Sequence, residues 1–493
     1  MKQYLGLGLL AALAPGAGEA AALRVSEDGR SFVSADGQPF FWLGDTAWEL
    51  IHRLDRTEAT YYLERRAEQA FTVIQAVILA ESDGLRVPNA HGELPFIDLD
   101  PRRPNEAYFE HVDFIAAEAA RLGLRLALLP TWGDKVPSDR TGHGPVIFNR
   151  ENARDYGRFL GRRYREAPVV WMLGGDRSVV SDEAFEIWRA MGLGLREGGG
   201  GAQLMTFHPA GEETSARFHA EPWLNFHTYQ SGHRMRFHPV WRFAEELASL
   251  RPRKPFLDSE PSYEDLPVRF WDFIDWNAPE PVPPSVLDAR QLLARPEFFK
   301  LGLFDDYDVR VHAYWNLMAG AAGHSYGHNA VWQMHRPGRR AAIPCLQGWR
   351  EALDRPGAQQ MRHLRTLFER RSWARLRPDP SLVYPEKNDA AVPVRSALAD
   401  DRTFALVYLA TGRAVEVVLG KVNGPRVRLT WYDPSNGGTT PGGEVANEAR
   451  AVFTPPAVGE RQDWVLVLDS LEATLPDLAA ATREERLPAP APL

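Results

Sequence analysis

Two carboxylates in this chain stand where a strand should end and a ligand begin. Asp176 follows the apolar run Val169-Val170-Trp171-Met172-Leu173 and the pair Gly174-Gly175, which lets the backbone turn sharply and pass close to a bound molecule. Glu260 follows Pro255-Phe256-Leu257-Asp258-Ser259 in the same manner. A protonated acid on one side of a glycosidic bond and an ionised nucleophile on the other is the pairing that double-displacement hydrolysis needs. Each residue also has a plainer use: Asp176 could cap the next helix or pair with Arg177, and Glu260 could pair with an arginine such as Arg269. Two carboxylates at two such strand ends favour the chemical reading.

The elements that must position them form a regular series. From residue 38 onward, short apolar runs alternate with stretches of helical period, the mark of βα units around a parallel sheet. Strands are predicted at 40–44, 72–80, 125–130, 169–173, 204–207, 224–227, 255–258 and 324–326, and helices at 56–70, 105–122, 153–166, 182–197, 239–250 and 306–319. The fifth strand is followed only by an irregular stretch. Eight units without a glycine-rich dinucleotide fingerprint predict a closed (β/α)8 TIM barrel rather than a doubly wound sheet. Such a barrel works at the C-terminal ends of its strands. The residues there are Asp45 and Trp48, Trp132 and Asp134, Asp176, His208, His227 and Tyr229, Glu260, Tyr263 and Glu264, and finally His324, Tyr326 and His328. Asp45 is a candidate for bidentate binding of sugar hydroxyls, His208 and His227 for bonding a ring or tuning Asp176, and Tyr263 or Tyr326 for orienting Glu260. Tyr229 and His324 complete the polar rim. Trp48, Trp132 and Trp332 are candidate stacking platforms, against a background in which most tryptophans pack cores.

The pattern changes after about residue 376. Alternating strands at 404–410, 414–419, 426–432 and 463–468, separated by turn signals such as Ser435-Asn436-Gly437-Gly438 and Pro441-Gly442-Gly443, predict a small β-sandwich. The expected division is a secretory signal at 1–22, a catalytic barrel at 23–375, an all-β accessory domain at 376–470 and a loose tail at 471–493.

Taken together, Leu43-Gly44-Asp45-Thr46-Ala47-Trp48, Trp171-Met172-Leu173-Gly174-Gly175-Asp176, Thr206-Phe207-His208-Pro209, Asp258-Ser259-Glu260-Pro261-Ser262-Tyr263-Glu264 and Gly323-His324-Ser325-Tyr326-Gly327 resemble the apiosidase-like glycoside hydrolase family over most of residues 25–375. The C-terminal part, with Trp431-Tyr432-Asp433-Pro434 and its glycine-rich turn, resembles the small β-domain of that family named for collagen binding. The resemblance implies a retaining barrel enzyme with the acid/base on Asp176 and the nucleophile on Glu260, the two residues already singled out. Many related barrels carry Asn-Glu after strand four where this chain has Gly175-Asp176, a shorter acid. The matching substrate would be a terminal apiose on a polysaccharide side chain; the motifs do not select apiose over other sugars.

Composition bounds the rest. The 44% apolar and 25% charged residues exclude a disordered or multi-span chain. A net charge of −8 argues against nucleic acid as partner and suits a neutral carbohydrate. Of the 57 basic residues only six are Lys, and the Arg are scattered over helix-like stretches. Thirteen of the fifteen Trp lie between Trp42 and Trp373, so whatever the indoles do is concentrated in the barrel. Met1-Lys2-Gln3, the apolar run from Tyr4 to Ala17 and Ala20-Ala21-Ala22 have the order of a secretory signal, which predicts a periplasmic or secreted protein without a membrane span. Cys345 is the single cysteine, so no intrachain disulfide forms. No metal or cofactor is expected, and the oligomeric state is left open. Two rivals stand: a metal-dependent hydrolase binding zinc through His208, His227 and His324, and a non-catalytic carbohydrate- or matrix-binding protein. Against the first, strand one lacks a His-x-His pair and no His-Glu-x-x-His occurs. Against the second, a pure binder has no need of an acid opposite a nucleophile.

Overall fold

The computed structural model describes residues 23–479 apart from 82, 140, 141, 143, 273–299, 340 and 386–390. The N-terminal segment with its signal-like order and the Pro-rich stretch at 278–284 therefore lie outside the described residues.

A short antiparallel meander, β1 (Arg24–Val25), β2 (Phe32–Val33) and β3 (Pro39–Phe40), leads into eight parallel strands. These are β4 (Trp42–Thr46), β5 (Val73–Val77), β6 (Arg125–Leu129), β7 (Val169–Gly174), β8 (Met205–His208), β9 (His227–Tyr229), β10 (Phe256–Asp258) and β11 (Gly323–Tyr326). The ladder runs β8-β7-β6-β5-β4-β11-β10-β9. The gap between β8 and β9 is closed by side chains together with one backbone bond: Asn225 takes the Met205 N–H on Oδ1 at 2.9 Å, and the Thr206 hydroxyl donates to the Phe226 carbonyl at 2.8 Å. The Asn225 N–H donates to the Met205 carbonyl at 2.8 Å. The expected (β/α)8 TIM barrel is thus the fold of this chain.

Side chains of successive strand residues point alternately into the barrel and out toward the helices. Val73, Val77, Ala127, Leu129, Val170, Met172, Leu204 and Leu257 form the inner layer. Phe32 of the meander plugs the N-terminal end, 5.7 Å from the Trp42 ring and 5.0 Å from Phe226. Outside, helices Arg56–Glu68, Glu106–Arg121, Arg150–Arg163, Asp182–Gly199, Trp241–Ser249 and Asp306–Met318 cover the strands, and only a 3-10 turn, Ser215–Phe218, follows β8. The main shift from expectation is β9, which begins at His227 rather than ending there. A further helix, Pro356–Arg370, with proline in its first turn, follows the barrel.

Beyond it, β12 (Leu376–Pro378), β13 (Arg395–Ala399), β14 (Phe404–Leu409), β19 (Trp464–Ser470), β16 (Arg426–Tyr432) and β17 (Thr439–Ala446) form one sheet, and β15 (Val415–Val418) pairs with β18 (Arg450–Phe453). Pro441-Gly442-Gly443, read as a turn, lies within β17. That strand is at the edge of the sheet, where a proline costs no ladder bond, and the register slips opposite Leu429/Thr430. The domains share a core: Tyr314 of the Asp306–Met318 helix stacks 4.7 Å from Tyr408, and Arg310 makes a buried two-point contact with Asp463 at 2.9 and 2.7 Å. Arg371 holds Asp469 in the same way at 2.9 and 2.7 Å.

Candidate active site

Glu260 leaves β10 at the C-terminal mouth and is enclosed by histidines. Its Oε2 lies 3.0 Å from His208 Nε2 and its Oε1 3.3 Å from His233 Nε2. His208 is held in turn through Nδ1 by the Ser259 hydroxyl at 2.8 Å, so the residue before the carboxylate fixes the ring that grips it. The Ser259 carbonyl accepts from Gln75 Nε2 at 2.9 Å, which ties this segment to β5 across the barrel. Tyr263 turns back over the site. Its hydroxyl receives the Trp48 indole N–H at 3.1 Å, and burial, helped by the nearby Glu260 charge, pushes the phenol well up. The Tyr263 ring lies flat on Gly327, where a Cβ would stand 2.1 Å from Cδ1. Burial alone would raise the Glu260 carboxyl; hydrogen bonds from His208 and His233, with their charges, outweigh it and hold the group at about 2. Asp258, two residues earlier, is buried without a cation and is raised to about 6, although Ser231 and Asn316 donate to it.

Asp176 is presented by a strained turn. Gly174, Gly175 and Asp176 have φ of 91°, 132° and 44° in succession, and only the last carries a side chain. A Cβ on Gly174 would stand 2.1 Å from the His208 carbonyl, and one on Gly175 2.8 Å from the Trp132 ring and from Gly133 N. The two glycines let β7 end between the strand that carries Trp132 and the strand that carries His208. Arg177 Nη1 lies 3.3 Å from Asp176 Oδ2 and donates to its carbonyl at 2.8 Å, while Nη2 binds Glu81 at 2.9 Å. Asp176 remains partly exposed, with 28% of its side chain accessible. The pairing of Asp176 with Arg177 is present. Arg269 pairs with Asp272 at 2.9 Å, not with Glu260.

Aromatic rings join the two carboxylates' surroundings. Trp48 and Trp132 lie 5.3 Å apart, and His208 is 5.3 and 5.9 Å from them. Trp332 belongs to the same buried cluster. The indole N–H groups of Trp132 and Trp332 are buried without a partner among the described residues, as is His233 Nδ1.

Five of the expected rim residues face the other way, for one reason: they sit at outward positions of their strands. Asp45 is buried against the Arg56–Glu68 helix, accepting from Arg66 Nε at 2.7 Å and from the Tyr62 hydroxyl. Tyr229 donates to Asn316 at 2.7 Å and stacks on Phe243. His324 meets Asn316 at 3.2 Å, and burial pushes it down to about 3, leaving a neutral ring. Tyr326 donates to Glu264 at 2.5 Å, and Glu264 also accepts from the Gly357 N–H, which fixes the Pro356–Arg370 helix. His227, at the entry of β9, bonds Ser215 at 2.8 Å and His219 at 2.9 Å. Two further rim residues have structural work: Asp134 takes Lys135 at 2.6 Å and the Gly144 N–H at 2.9 Å, and His328 caps the Asn329–Trp332 turn and meets Asp265. His208, His227 and His324 are therefore not brought together, and among the described residues no group of three His, Cys, Asp or Glu is placed to hold a metal ion.

Sequence reading missed His233 and Ser259. Ending the sixth strand at Tyr229 rather than His227 would have put Gln230 to His233 in the rim.

No curated protein matches this chain. Residues 26–375 match the model described as "Apiosidase-like, catalytic domain", and residues 377–469 match "Putative collagen-binding domain of a collagenase". Among solved structures, one named glycoside hydrolase is 31% identical, covers 92% of this chain and 98% of its own, and superposes with a TM-score of 0.78. A glycoside hydrolase family 5 protein from Bacteroides vulgatus ATCC 8482 is 29% identical over 94% of this chain and 98% of its own, with a TM-score of 0.79. With a family model spanning most of its length and a solved relative above 30% identity, the chain belongs to the apiosidase-like family of glycoside hydrolases.

Proposed function

We propose that this glycosidase acts by double displacement with retention, Glu260 as nucleophile and Asp176 as acid/base. The observation that carries the reading is the setting of Glu260: a carboxylate at the barrel mouth, buried yet kept ionised by His208 and His233 and faced by Tyr263. In the first step a Glu260 oxygen bonds to the anomeric carbon as the bond to the leaving oxygen breaks, and the proton on Asp176 passes to that oxygen. In the second, Asp176 takes a proton from water, whose oxygen displaces Glu260. Trp48, Trp132 and Trp332 form the apolar wall on which a sugar ring would lie.

The proposed substrate is a sugar borne on a plant or microbial polysaccharide side chain, apiose being the family's indication. The order of residues 1–22 supports export to the periplasm or beyond. No helix among the described residues is long and apolar enough to cross a membrane. Incubation with pectic, hemicellulosic and microbial polysaccharides, followed by NMR of the first-formed anomer, tests the reading. It predicts release of one sugar in the configuration of the bond cleaved, abolished in Glu260→Gln and Asp176→Asn; an inverted product, or near-normal turnover in either variant, refutes it.

A further inference from the structure

The N-terminal end of the barrel, opposite Glu260, holds a cavity of about 330 Å³ at the seam with the β-domain. Arg30 enters it from the meander, Arg253 and Lys254 from the approach to β10, and Arg377 from β12, while Phe256 and Pro378 supply apolar wall. Four cations thus converge in a protein of net charge −8. The carboxylates facing them are Asp28, 3.1 Å from Arg377 and 3.7 Å from Arg30, and Asp400, 2.8 Å from Arg377. Lys254 is turned onto the carbonyls of His219 and Leu224 at 2.8 and 2.6 Å, so it contributes field more than contact. Arg253 makes no ion pair or side-chain hydrogen bond among the described residues. Burial and the mutual repulsion of Arg30, Arg253 and Arg377 lower the proton affinity of Arg30, and burial with the charges of Arg251 and Arg377 does the same for Arg253. An arriving anion would relieve both.

We propose that this cavity is a second carbohydrate site, taking a carboxylate-bearing sugar unit of an acidic glycan. The carboxylate meets Arg253 and Arg30, and the ring lies on Phe256 and Pro378. Two features favour a sugar over a bare inorganic ion: the volume falls at the lower end of small-molecule sites, well above what a small oxyanion fills, and part of the wall is apolar. The site is independent of the catalytic assignment, because it lies at the other end of the strands.

Calorimetric titration of the full chain at low salt with digalacturonate tests it. The expected result is one site per chain, weakened at least about tenfold by Arg253→Glu and in smaller measure by Arg377→Gln, unchanged in Glu260→Gln, and no heat with cellobiose. Unaltered glycosidase turnover in Arg253→Glu serves as the folding control, with Arg253→Gln as the milder substitute. Binding of inorganic phosphate but not digalacturonate overturns the sugar assignment. Digalacturonate binding that is lost in Glu260→Gln and kept in Arg253→Glu places the acidic sugar in the catalytic mouth instead and overturns the second site.

Discussion

Replacing Asp45 by Asn separates a residue that binds substrate from one that holds the barrel together. Asp45 and Arg66 are both fully buried, with Oδ2 and Nε 2.7 Å apart and the Tyr62 hydroxyl on the same oxygen. Asparagine keeps the shape and removes the charge, leaving the Arg66 guanidinium enclosed opposite a neutral amide. Breaking one side of a buried pair costs about 3–5 kcal/mol, because the remaining charge has lost its water without gaining a partner. Arg66 also lies 5.0 Å over Phe71 and 5.7 Å over Tyr326, and those contacts keep it from swinging out to solvent. For a chain of this size, with an unfolding entropy of about 1 kcal/mol/K, the loss corresponds to roughly 3–5 °C in melting temperature. Scanning calorimetry would read the drop, and kcat/KM at 25 °C should stay within about threefold, since no atom of Asp45 reaches the mouth. Replacing both partners, Asp45→Leu with Arg66→Met, should recover much of the loss, as buried pairs exchanged whole for apolar groups often do. A variant that melts normally but loses turnover by orders of magnitude would show that Asp45 touches the sugar and that the outward reading of β4 is mistaken.

Three further expectations follow from the same geometry. Gly175→Ala drives a Cβ to 2.8 Å from the Trp132 ring at a φ of 132°, so it should displace Asp176 and cut kcat by about a hundredfold or more while urea unfolding shows a folded protein; near-normal kcat would remove the turn from the argument. Glu260 sits below its ordinary range, so its carboxylate adds stability above the unfolded value near 4.3 and loses it only as pH falls through about 2; the acid limb of kcat/KM should therefore lie below about pH 4 and move up by about one unit or more in His208→Ala, and an unmoved limb would refute the clamp. Asp463→Ala leaves Arg310 buried between the two domains, so both should unfold together at a lower temperature; separate transitions with the barrel unchanged would show the interface to be incidental.

Architecture was legible because it rests on patterns repeated many times. Eight apolar runs with helical stretches between them survive an error of two or three residues at any boundary. The site was less legible because it depends on parity. In β4 the residues Gly44 and Thr46 face the barrel and Asp45 between them faces a helix; in β11 Ser325 faces inward and His324 and Tyr326 do not. Reading all polar residues near strand ends collects both faces. At β9 the boundary moves instead: the strand starts at His227, so it is His233, beyond its end, that reaches the rim. Asp176 and Glu260 escaped the ambiguity because each lies just past its strand, where glycines or a proline mark the turn. The partnership of Gly327 with the Tyr263 ring had no local signal at all, since the two are far apart in sequence.

The most direct test of the central claim is azide rescue of the two carboxylate variants on an aryl glycoside that the wild-type enzyme cleaves. With Glu260→Ala, azide fills the space of the lost nucleophile, and the account predicts a glycosyl azide of inverted configuration. With Asp176→Ala, Glu260 still forms the ester, and azide should intercept it to give the retained configuration. Azides of the opposite configurations would exchange the two roles, and no rescue of either variant, with both proteins folded, would contradict the account.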